Sequence, residues 1–228
     1  MHDADWAHLV DVLDQQLATH MDMKCLGRLG PDGKKELKYL KRALYWTDEG
    51  FFWVGDGKHI DRAVELLDLT EAKSSDTHGS KATGKSIRNA LDELPAAGAK
   101  LFQQAAGTLN YIAVDRPDIQ FSVKVILTDM SKPLVVSMLR VKRCLRYLKG
   151  KPTVAWVFAY QSLPSTILYE TDSDWADDEI TRKSTSSIYG FFGKHLLETC
   201  VASQAVVALS SGEAEFYAIG RGAGSAIM

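Results

Sequence analysis

The chain has 228 residues, of which 46% are hydrophobic and 25% charged, with a formal net charge of −2. This is close to an ordinary globular composition, sized for one large domain or two small ones, and any basic surface must be local rather than global. The three cysteines, Cys25, Cys144 and Cys200, are far apart and form no CxxC pair, and the six histidines are scattered, with none in HExxH. This excludes a disulfide framework or a cysteine zinc site and points to a reducing compartment. No apolar run reaches the roughly 20 residues that span a bilayer. The acidic start MHDADWAHLV lacks the basic and apolar regions of a signal peptide. The expectation is an intracellular protein, of cytoplasm or nucleus, with no membrane partner.

In chain order, Leu9, Val12, Leu13 and Leu17 have helical spacing within 8–20. MDMKCLGRLGPDG alternates like a strand and stops at a Gly/Pro turn. ELKYLKRALYWTDEGFFWVGDG predicts two strands around Asp48-Glu49-Gly50, and KHIDRAVELLDL predicts a helix. From Thr70 to Leu94 the chain is polar and reads as a linker. Three helices are expected next: KLFQQAAGTLNYIAV, then DIQFSVKVILTDMS with Pro117 near its start, then VVSMLRVKRCLRYLKG closed by Gly150. After Gly150 the texture becomes β-branched and aromatic. TVAWVFAY, STILYETD, SSIYGFFG and LETCVAS read as strands, and a helix starts near Ser210 and runs on to Met228. A helix with neither a C-cap nor a basic last turn at the chain's end predicts a truncated product.

Three constellations can carry chemistry. Asp172 and Asp174, two apart on a strand, point to one face. Carboxylates that close raise each other's pKa unless a cation intervenes, and Mg²⁺ favours such oxygens; an acidic turn fits the same letters. In VVALSSGEAEFYAIG, Ser210 and Glu213 fit a capping box. A Glu in that first helical turn could also meet Asp172 across one metal. Between Arg140 and Lys151 lie Arg140, Lys142, Arg143, Arg146, Lys149 and Lys151, with no acid and with an apolar stripe of Met138, Val141, Leu145 and Leu148. Such a face can follow a phosphate backbone or be simply solvated.

The order of these pieces resembles the C-terminal part of copia-type LTR-retrotransposon Pol polyproteins. The resemblance is carried by YETDSDWADD, TRKSTSSIYGFFG and VVALSSGEAEFYAIG, with GTLNYIAVDRPDIQFSVKV and VKRCLRYLKG upstream, and it covers about Ala97 to Ala218. It implies an α/β (α+β) fold: a thumb-like α+β segment over 1–70, a polar linker over 71–94, a helical connection over 95–150, and a partial RNase H-like sheet over 151–228. Asp172 and Glu213 match the two RNase H acids that would hold Mg²⁺, and the implied substrate is an RNA/DNA hybrid. Asp174 and Glu215 match neighbouring positions without the catalytic role. Arg140, Arg143, Arg146, Lys149, Arg182 and Lys183 are the candidate nucleic-acid contacts. The polymerase's aromatic-x-Asp-Asp hairpin and the third RNase H acid are missing from the chain. The expectation is therefore a fragment that begins after the polymerase site, stops inside the RNase H domain and is inactive alone, or a non-catalytic nucleic-acid-binding or scaffold remnant.

Overall fold

The structure, a computed structural model, describes residues 3–79, 92–178 and 180–227. Part of the expected linker, 80–91, lies outside the described residues. Helix α1 (Asp3–His20) is followed by strands β1 (Glu36–Tyr39), β2 (Arg42–Thr47) and β3 (Gly50–Val54), and by helix α2 (Lys58–Leu66). Helices α3 (Ala96–Ala113), α4 (Gln120–Thr128) and α5 (Val135–Gly150) come next. Strands β4 (Ala155–Ala159), β5 (Ile167–Asp174), β6 (Thr185–Phe192) and β7 (His195–Ser203) and helix α6 (Ser211–Ile227) complete the order. The mixed α/β class expected from the sequence is the class observed, with two small antiparallel sheets consistent with a partial RNase H-like fold.

The core is helical. Ile60 and Val64 of α2, Phe102 and Leu109 of α3, Val123 and Ile126 of α4, and Val141, Leu145 and Leu148 of α5 form one buried cluster. The apolar spacing of α5 is what turns Val141, Leu145 and Leu148 inward, and Met138 packs partly buried against the same cluster. The DRPDI stretch closes this core from below. Arg116 is only 4% exposed. It donates from Nε and Nη2 to Asp118 at 2.9 and 2.8 Å and from Nη1 to the Lys151 carbonyl at 2.7 Å. The Tyr147 hydroxyl donates to the same carboxylate at 2.9 Å. This staple ties the start of α4 to the end of α5.

The first sheet has the order β1-β2-β3-β4, so β4 pairs with β3 across about a hundred residues of chain and not with the strands that follow it. The close approach fixes Gly50: a Cβ there, at φ +148°, would stand 2.3 Å from the Phe158 carbonyl oxygen. The second sheet has the order β5-β6-β7. Its register sets Asp172 against Ser187 and Asp174 against Thr185. The strand expected within 21–33 is not formed; the segment is mostly exposed and makes one isolated bridge, Leu29 to Lys34. Among the described residues no helix is long and apolar enough to cross a membrane.

Candidate functional site

Alternation along β5 gives its two faces different neighbours. Tyr169, Thr171 and Ser173 turn toward α6: the Tyr169 hydroxyl donates to the Ser225 carbonyl at 3.4 Å, and Thr171 meets Gly222. Asp172 and Asp174 turn the other way. There they line an open groove of about 380 Å³ with Phe121, Thr185, Ser187 and Tyr189. Neither side chain makes a hydrogen bond or ion pair with another described residue. The groove floor is neutral and hydroxylated, and its nearest cation, Lys124 of α4, is already committed. Lys124 Nζ donates to Asp177 Oδ2 at 3.1 Å and to the Thr185 hydroxyl, with both charged side chains about nine-tenths buried. The second oxygen of Asp177 is buried with no partner among the described residues.

The hydrogen bonds of Glu213 are all made at the start of α6, and none is with Asp172. Glu213 is spent at the start of α6: one carboxylate oxygen accepts the Leu209 N–H at 2.7 Å, and the other accepts the Tyr217 hydroxyl at 2.8 Å. Ser210 Oγ accepts the Glu213 N–H at 3.2 Å, so the capping alternative is the one these contacts build. The Leu209 amide and the Tyr217 hydroxyl hold this carboxyl below the usual range. The α6 acid that reaches β5 is Glu215, which the sequence had left aside. Its Oε1 accepts from both the amide (3.2 Å) and the hydroxyl (2.8 Å) of Ser173. The Ser173 side chain alternates with those of Asp172 and Asp174 along β5, although Ser173 itself also borders the groove. Among the described residues no three His, Cys, Asp or Glu side chains cluster closely enough to hold a metal. The donor set therefore does not fit a paired Mg²⁺ arrangement.

The remaining expected contacts also have places. Asp172 and Asp174 lie within β5 and not in a turn; the acidic turn that does form is at Asp178, whose Oδ1 accepts the N–H groups of Ile180 and Thr181 at 3.0 and 2.9 Å. Arg182 is exposed and Lys183 half-buried at the end of this turn. Ser184, Thr185 and Ser186 behind them are buried. Ser184 Oγ accepts the Ala176 N–H at 3.0 Å, and Ser186 Oγ accepts from Gln204 Nε2 at 3.0 Å. The Ser/Thr cluster is thus internal wiring. Trp175, 45% exposed, donates from its indole to the Ala208 carbonyl at 3.1 Å. On α5, Arg140 pairs with Asp129 at 3.4 Å, while Arg143, Arg146 and Lys149 lie half-buried against the segment after α2.

The sequence has counterparts among known proteins. The chain is 25% identical over 211 residues to the uncharacterised mitochondrial protein AtMg00810 of Arabidopsis thaliana, covering 92% of this chain and 82% of that protein. It is 27% identical over 175 residues to the retrovirus-related Pol polyprotein from transposon RE1 of Arabidopsis thaliana, covering 73% of this chain. It is 35% identical over 123 residues to the secreted RxLR effector protein 161 of Plasmopara viticola, covering 52% of this chain and 83% of that protein. Over most of its length the chain is thus similar to retrovirus-related Pol polyproteins of transposons. It spans 12% of the RE1 polyprotein's length. No family model and no solved structure matches it. The resemblance placed its first acid on β5, and the α6 carboxylate bonded to that strand is Glu215.

Proposed function

We propose that this chain is the connection and RNase H-like portion of a retrotransposon Pol protein and that, taken alone, it does not hydrolyse RNA/DNA hybrids. The observation that carries this reading is the commitment of both α6 carboxylates away from the Asp172/Asp174 groove. Two-metal hydrolysis fixes its ions roughly 3.5–4 Å apart, which takes several convergent carboxylates. The groove supplies two, from one strand. Releasing Glu213 would uncap α6, and releasing Glu215 would strip the Ser173 amide and hydroxyl of their acceptor. Either change carries a cost before any ion is bound. In a whole Pol protein the resemblance implies hydrolysis of the RNA strand of an RNA/DNA hybrid with Mg²⁺; that activity belongs to the larger assembly.

The test is direct. The purified chain, incubated with an RNA/DNA hybrid labelled on its RNA strand and with Mg²⁺ or Mn²⁺, is expected to leave the strand intact. Metal-dependent cleavage that disappears in Asp172→Asn would overturn the proposal.

A further inference from the structure

Arg143, Arg146 and Lys149 stand three residues apart along one edge of α5, each step rising about 4.5 Å. None of the three makes an ion pair among the described residues; the acid-paired cation of this helix is Arg140. Their partners are instead neutral atoms of one segment, Leu69–Gly79. Arg146 Nε donates to the Lys73 carbonyl at 2.5 Å, and Arg143 Nη2 to the Thr77 hydroxyl at 2.6 Å. Lys149 Nζ donates to the carbonyls of Thr70 and, at 2.9 Å, Ala72. The Ser75 N–H returns a bond to the Arg146 carbonyl at 3.2 Å. Nε of Arg143 is buried with no acceptor among the described residues.

A row of three cations is thus covered by carbonyl and hydroxyl oxygens that cancel none of its charge. The bonds to the segment are charged on the donor side alone, whereas a phosphate adds a charged acceptor and, with arginine, a forked pair of bonds. The segment is therefore a weaker occupant of the row than a chain of phosphates. The row's shape favours such a chain over a single anion. It runs about 9 Å along the helix, and each nucleic-acid strand carries one charge per roughly 3.4 Å of axis. The segment is also held firmly only at its ends. Leu69 is buried in the core, and His78 bonds Ser122 at 2.7 Å and packs edge-on against Tyr147. Between these anchors, residues 73–77 are held largely by the row itself.

We propose that Leu69–Gly79 is a displaceable cover over the Arg143/Arg146/Lys149 row and that a nucleic-acid phosphate backbone takes its place. The proposal goes beyond the function proposed above and does not depend on Asp172 or the α6 acids, so a hydrolysis assay cannot decide it. Binding of the full chain to a short fluorescein-labelled DNA duplex, followed by anisotropy, reads the row. Three phosphate contacts predict an affinity loss of about 40-fold between 50 and 200 mM salt. The triple variant R143Q/R146Q/K149Q should lose most of that salt dependence. Hydrogen exchange on the wild-type chain reads the cover and needs no variant to fold. On duplex binding, residues 73–77, including the Ser75 amide, should exchange faster. Binding with unchanged protection of 73–77, a triple variant with wild-type salt dependence, or no duplex binding at 50 mM salt would each overturn the proposal.

Discussion

Replacing Asp118 by alanine should destabilise the chain more than any change in the acidic groove, because it strands a buried cation. Arg116 is 4% exposed and places two of its three hydrogen bonds on Asp118, leaving the Lys151 carbonyl as its remaining acceptor. The mostly buried Tyr147 hydroxyl loses its acceptor in the same step. Removing one partner of a buried pair costs about 3–5 kcal/mol, and for a chain of this size each kcal/mol lowers Tm by roughly 2–4 °C. Asp118→Ala should therefore melt roughly 6–20 °C below wild type, followed by circular dichroism. The double variant Arg116→Met/Asp118→Leu, which removes both charges, should recover most of the loss. Acid should reveal the same pair. Burial pushes the Asp118 carboxyl up, but the bonds from Arg116 and Tyr147 and the Arg116 charge outweigh it and hold it below the usual 3.8. The native state then binds this proton less readily than the unfolded chain, so the pair's stabilisation is complete above 3.8 and is lost as the pH falls through the lower native value. A single variant within about 1 kcal/mol of wild type, or a double variant as damaged as the single, would refute the reasoning.

The other expectations concern packing and thiol chemistry. Gly222→Ala should cost about 1–3 kcal/mol in urea denaturation, because the new Cβ would sit 2.5 Å from Thr171 Cγ2; Thr171→Ser, which removes that methyl, should return most of it. With a disulfide reagent at pH 8, exposed Cys25 should react in the native chain, while Cys144, buried and with its thiol pushed up to about 12, should react only on unfolding, as peptide mass mapping would show.

Much of the fold was legible where the signal was local. The spacing of Val141, Leu145 and Leu148 placed α5, and the Asp48-Glu49-Gly50 turn placed the β2–β3 hairpin. Strand β1 escaped because its turn, Leu40-Lys41, takes left-handed backbone at both residues (φ 47° and 64°) without a glycine or asparagine to announce it. The partner of β4 escaped because strand pairing across about a hundred residues leaves no mark on either strand alone. The cover over α5 was invisible for a related reason. The cations of α5 bond mostly to main-chain oxygens, which every residue supplies, so the polar stretch after Leu69 read as a linker.

The α6 acids were harder, because two correct signals pointed to different side chains. Ser210 and Glu213 announce a helix start, and that is what they build. Residues two apart on a helix differ by about 200° in direction, so a Glu committed to the cap leaves the next Glu aimed elsewhere. The line of small residues Ala214, Ala218 and Gly222 marks the side of α6 laid on the sheet, and Glu215 borders that line. Taken with the alternation of β5, the same letters send Ser173 toward α6 and Asp172 and Asp174 away from it. The helix and strand periodicities together therefore separate the acids that the motif, taken as a string, had joined. Joining them again would require α6 to turn about its axis, which the close contact of Gly222 with Thr171 opposes.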